Sequence, residues 1–141
     1  MARIRTKRKP RGRAAAVFTE NTAIPFTKRS AESFASKALS ALGWKGGEIN
    51  ILFTDDAGIK RLNSGFKGRN CATDVLAFDT GDIAVSVDTA RKNARLYGNT
   101  LPGELRLCVV HGILHLCGFD DTSAPKRKVM RDMEKRILGK L

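Results

Sequence analysis

The sequence predicts a single α+β domain, and three observations carry that prediction. Short β-rich runs share the first two thirds of the chain with helical patterns, whereas the last third reads as helices alone. Two of the β-rich runs are separated by so short a turn that they must return antiparallel. The 141 residues are the size of one ordinary domain, contain no internal repeat, and can bury a core without disulfide or metal staples. A small mixed sheet with helices packed on it satisfies all three.

Taken in order, residues 1–13 form an expected disordered arm, and the domain is expected to occupy 14–141. Ala14 to Thr19 reads as a first strand, followed by a turn-rich run around Asn21 and Pro25. Ser30 precedes Ala31, Phe34, Ala35, Ala38, Leu39 and Leu42, whose spacing forms one apolar helical stripe that Gly43 stops. Ile49 to Phe53 reads as a strand, and Thr54-Asp55-Asp56 can cap a short helix through about Asn63. Ser64 to Ala72 carries Gly65, Lys67, Gly68, Arg69 and Asn70 and reads as a basic loop. Thr73 to Phe78 and Ile83 to Val87 form the hairpin, turned at Asp79-Thr80-Gly81-Asp82. Helical patterns follow at Asp88 to Leu96, Leu101 to Cys117 and Ser123 to Leu138.

Lysine and arginine outnumber aspartate and glutamate by 26 to 14, and the net charge of +12 favours a polyanionic partner, with nucleic acid the foremost candidate. The arm holds Arg3, Arg5, Lys7, Arg8, Lys9, Arg11 and Arg13 and no acid, so it can engage RNA phosphates by releasing counterions. A solvated tail with no specific partner fits the same composition. Cys71, Cys108 and Cys117 are an odd set without CxxC spacing, which argues against a disulfide framework and for a reducing, cytoplasmic setting. No run approaches the roughly 20 apolar residues of a membrane span.

The chemistry concentrates in HGILHLCGFDD, residues 111–121. The chain's two histidines, His111 and His115, fall about 40° apart on a helix, one turn up the same face, so two imidazoles can reach one cation. Gly118 ends the helix and lets the chain turn back, which gives Asp121 access as a third ligand. Three protein ligands with an open position suit a catalytic zinc. Two histidines and a carboxylate can also hold iron or manganese. An HxxxH pair also occurs on helices without any metal. Gly112 stands where HExxH metalloproteases carry their general base, so that route to peptide hydrolysis is disfavoured. Cys108, three residues before His111, reads either as a soft ligand or as a small buried hydrophobe. Trp44 and Tyr97 read as base-stacking or as packing aromatics.

These residues also resemble a known family. His111 to Asp121 looks like the HGxLHLxGYDH signature of the YbeY family of metal-dependent endoribonucleases. Leu62-Asn63, Phe66-Lys67, Thr73-Asp74-Val75-Leu76 with Phe78, and Gly81-Asp82-Ile83 resemble its other landmarks in the same order, over roughly residues 48 to 138. The resemblance implies a sheet of about four strands and single-strand RNA cleavage in small-subunit rRNA 3′-end maturation and ribosome quality control. It implies zinc on His111, His115 and Asp121, and as partners rRNA, the small subunit or a ribosomal protein.

Two departures stand out: Asp121 takes the place of the family's third histidine and Lys67 that of its loop arginine, while the hairpin connection is cut short. A carboxylate in place of a neutral imidazole removes one unit of net positive charge from the ion, so the water it holds is less acidic than in a tris-histidine site. Lys67 and Arg69 are the expected phosphate-stabilising cations. Asp120 is expected to cap, or to orient a histidine from behind the ligands. A non-catalytic RNA-binding or ribosome-assembly factor with a structural or degenerate metal site, and a metallohydrolase of another substrate, are the competing readings.

Overall fold

A computed structural model describes residues 14–68 and 72–141. The arm cations Arg3, Arg5, Lys7, Arg8, Lys9, Arg11 and Arg13, together with Arg69 and Cys71, lie outside the described residues.

The chain runs β1 (Ala15–Thr19), α1 (Lys28–Ala41), β2 (Ile49–Thr54), α2 (Asp56–Lys67), β3 (Val75–Phe78), β4 (Asp82–Ser86), α3 (Val87–Tyr97), α4 (Leu101–Leu116) and α5 (Ala124–Leu138). The four strands make one mixed sheet in the order β1-β2-β4-β3, the expected α+β architecture. β1, β2 and β4 are parallel, and β3 returns antiparallel to β4 with Val75 opposite Val85 and Phe78 opposite Asp82. β3 is therefore an edge strand, and its outer rim is open to whatever lies beside it.

The two faces of the sheet are unequal. Val17, Ile49, Ile51, Phe53, Ile83 and Val85 point into the main core with Phe34 and Leu39 of α1 and Leu105, Val109, Ile113 and Leu114 of α4. On the other face Leu52, Leu76, Phe78 and Ala84 form a smaller cluster closed by Ile59 of α2. α4 is buried on most of its sides, Ile113 and Leu114 of its last turn included, so this turn is packed into the core. No helix among the described residues is long and apolar enough to cross a membrane.

Three boundaries differ from the sequence expectation. α1 starts one turn early because Thr27, not Ser30, caps it: its hydroxyl accepts from Ser30 N at 3.0 Å. That first turn, Lys28-Arg29-Ser30, is polar and leaves no trace in an apolar pattern. The hairpin connection is shorter than expected, since Asp82 belongs to β4. It is fully buried there, accepting from Asn50 Nδ2 at 2.9 Å and from the Thr80 hydroxyl at 2.5 Å.

The third difference moves a predicted site residue. The expected basic loop from Ser64 is helix as far as Lys67, so Lys67 sits on the last turn of α2 and not in a loop. Phe66 packs edge-on against Phe78 at 5.8 Å, and the Lys67 ammonium lies 5.0 Å from the same ring. These contacts carry the helix past Gly65, and it ends at Gly68, whose φ of 70° only glycine adopts cheaply.

Candidate metal centre

The segment after α4 is shaped by its helix end. Gly118 takes φ 96°, its N–H donates to His115 O and the Phe119 N–H donates to Leu114 O, each at 3.0 Å. This pair of bonds is a Schellman turn, which reverses the chain and brings Asp121 back beside the histidines. Donor atoms of His111, His115 and Asp121 then all lie within 4.8 Å of one another. The Nε2 atoms of the two histidines are 3.1 Å apart, and Asp121 Oδ2 is 3.9 Å from His111 Nε2.

That spacing fits one ion. Two nitrogens bound tetrahedrally at the usual zinc distance stand about 3.3 Å apart. The His/His/Asp group can therefore hold a metal ion, and its donor chemistry suits a divalent cation of the zinc, iron or manganese type. Among the described residues the Asp121 carboxylate accepts no hydrogen bond, so its lone pairs are free for such an ion.

The aspartate pair divides its work. Asp121 joins the imidazoles, whereas Asp120 Oδ1 accepts from the Thr122 N–H at 3.1 Å and from its hydroxyl at 2.8 Å, pinning the turn before α5. Those two bonds, with help from Lys126, hold the Asp120 carboxyl below its usual range. Asp120 does not orient a histidine. Glu134 of α5 does: its carboxylate meets His111 Nδ1, which turns the Nε2 edge of the ring toward Asp121 and His115.

Sequence reasoning missed Glu134 because it lies 23 residues from its partner. A signal was present. Glu134 falls four residues after buried Met130 and three before buried Ile137, so it is an acid on the apolar face of α5.

Burial disfavours a charged His111, but the hydrogen bond and charge of Glu134, with Asp74 and Asp121 behind them, outweigh it and raise its pKa. Burial and the neighbouring His111 push His115 the other way. The two Nε2 atoms face each other at 3.1 Å, so a cation bound between them would displace any proton there.

Gly112, read first as the missing base, has a packing reason as well. A Cβ at that position would meet Ile83 Cγ2 at 2.8 Å, so the glycine lets α4 lie close on β4 and leaves no room for a glutamate. Cys108 is buried in the core, where burial drives its thiol pKa well up, and it stands outside the His/His/Asp group. Trp44 packs against the core with its indole N–H donating to Gly47 O at 2.7 Å, while Tyr97 is exposed.

A cavity of about 390 Å³ opens beside His115, between the end of α2 and the end of α4 across the β3 edge. Asn63, Lys67, Ala77 and Asp79 line it, with Lys67 Nζ donating to Ala77 O at 3.1 Å. A second cavity, of about 170 Å³, lies beside His111 and Asp121 and is walled by Arg127, Met130, Arg131 and Glu134 of α5.

The family model for endoribonuclease YbeY matches residues 16–141. The chain is similar to the endoribonuclease YbeY of Aquifex aeolicus, at 37% identity over 125 residues covering 81% of this chain and 83% of the relative. It is similar to that of Parabacteroides distasonis at 34% identity over 134 residues, covering 89% and 94%. Among solved structures it is similar to the solution structure of TM1509 from Thermotoga maritima, with a TM-score of 0.62, 27% identity, and 89% and 87% of the two chains covered.

Proposed function

The chain belongs to the endoribonuclease YbeY family, and on that premise we propose that it is a zinc-dependent, single-strand-specific endoribonuclease. Its substrate in this reading is rRNA, cleaved during maturation of the small-subunit 3′ end. The observation that carries the reading is the convergence of His111, His115 and Asp121 beside a cleft that also holds a lysine.

A divalent cation on that group supplies activation of water and positive charge at the phosphate. The chain's own residues do the rest. Glu134 fixes the His111 tautomer. Lys67 spends one ammonium hydrogen on Ala77 O, which steadies the side chain and leaves two to meet a phosphate oxygen in the cleft. The net charge of +12 supports an RNA substrate over a peptide, as does the absence of room for a glutamate at Gly112.

The test is cleavage of labelled single-stranded and duplex RNA by the purified chain, with chelator, with zinc restored, and by His111→Ala. Cleavage of the single strand that chelator abolishes and zinc restores is the expected result. Cleavage that ignores both chelator and His111→Ala overturns the metal-dependent reading, and RNA binding without any cleavage turns the protein into an assembly factor.

A further inference from the structure

Lys67 lines the cavity that opens beside His115. The other cavity touches His111 and Asp121, and its cationic wall belongs to α5. This helix carries Lys126, Arg127, Lys128, Arg131, Lys135 and Arg136 against two acids, Asp132 and Glu134. The acids are already engaged, Asp132 with Lys128 at 3.0 Å and Glu134 with His111. Arg131 forms no ion pair among the described residues, although it is exposed at the mouth of the cavity. Arg127 is anchored by donating to Asp121 O at 3.3 Å, so its position follows that of the ligand loop.

We propose that Arg127 and Arg131 form a phosphate-binding shelf for the RNA strand, receiving it on the α5 side of the metal group after it has crossed the β3 cleft. Arg127 and Arg131 are four residues apart on α5, one helical turn, so their backbones are separated by a rise of about 6 Å along the axis. That step is on the scale of one nucleotide of extended strand, so adjacent phosphates can be held in succession. A guanidinium offers a planar fork to phosphate oxygens, which the ammonium of Lys67 cannot. Lys128, whose charge is matched by Asp132, does not line the cavity.

The shelf rests on the reading of RNA as substrate, and its test separates the two. Binding of a fluorescent single-stranded oligoribonucleotide to the full chain is followed by anisotropy, with chelator present so that no strand is cut. Arg131→Gln is expected to weaken binding at least fivefold and to lower the slope of log K against log salt by about 0.7, the share of one single-strand phosphate contact. Arg131→Lys is expected to keep the slope, and Lys128→Gln to bind within twofold of the parent. In the zinc-loaded enzyme the same Arg131→Gln change raises KM and leaves kcat within twofold, with an unaltered melting temperature.

Equal affinity and equal salt slope for the parent and Arg131→Gln overturn the shelf, whether or not the chain cleaves RNA. Failure of the parent to cleave, with the binding difference intact, overturns the nuclease reading and leaves the shelf standing.

Discussion

Two polar clusters at helix ends make an instructive pair. Around Asp56, at the start of α2, one carboxylate oxygen accepts from the Ser86 hydroxyl at 2.6 Å and from the Thr89 hydroxyl at 2.5 Å, and the other accepts from Lys92 at 3.2 Å. The Asp56 N–H donates in turn to Asp88 at 3.0 Å, so the starts of α2 and α3 are laced together. Every strong acceptor has its donor. Around His111, by contrast, two imidazole Nε2 atoms 3.1 Å apart and a carboxylate oxygen 3.9 Å from one of them face one another with no lysine, arginine or hydroxyl between them among the described residues. A cluster of acids whose donors are all present holds elements together. A cluster of nitrogen and carboxylate ligand atoms with few donors of its own can hold a cation.

The sharpest way to break this contrast is His111→Ala. It should abolish metal binding and lower RNA cleavage by two orders of magnitude or more, measured by calorimetry with zinc and by initial rates. Loss of activity with zinc affinity intact would mean that the group is not the metal centre.

Next in size, Glu134→Gln should weaken zinc about 10- to 100-fold, the usual effect of removing the partner behind a ligating histidine. Chelator should lower the melting temperature of the parent more than that of this variant, since a bound ion stabilises in proportion to its occupancy. Chelator should leave the contribution of the Asp56 cluster untouched.

Asp56→Ala is the matching experiment on the other cluster, expected to cost roughly 1–2 kcal/mol at neutral pH with zinc affinity unchanged. Burial raises the Asp56 pKa, but the hydrogen bonds of Ser86, Thr89 and Lys92 and the charge of Lys92 overcome it and hold the pKa below its ordinary value. The stabilisation is therefore complete above the unfolded pKa of about 3.9 and fades as the pH falls below it. Denaturant titrations should show parent and variant converging in strongly acid solution; a constant difference from neutral to acid pH would assign the loss to packing.

The smallest change concerns Asp121. Asp121→His should keep the fold and shift the optimum of the pH–rate profile to lower pH, because a neutral ligand leaves more positive charge on the ion. Superimposable profiles would remove the carboxylate from the ion.

The sequence by itself determined the α+β class, the hairpin, the apolar helix stripes and the segment that bears the candidate site. These are local properties: a period of two or 3.6, a short turn, two histidines spaced one turn apart on a buried helix. Asp121 was legible as well, because a helix stop at Gly118 followed by an acid is a local pattern that the Schellman turn realises.

What only the tertiary structure decided involves residues distant in the chain. Lys67 belongs to a helix and not a loop because Phe66 and the lysine itself find Phe78 on another element. Glu134 holds His111 because α5 packs against α4; its place among the buried residues of α5 marks it as an acid on an apolar face but does not name its partner. Gly112 is required by Ile83 across the sheet, a contact no spacing in α4 encodes. The division has a physical cause: backbone preference and side-chain periodicity act over a turn or two, whereas the partners that aim and enclose a site are supplied by packing between elements.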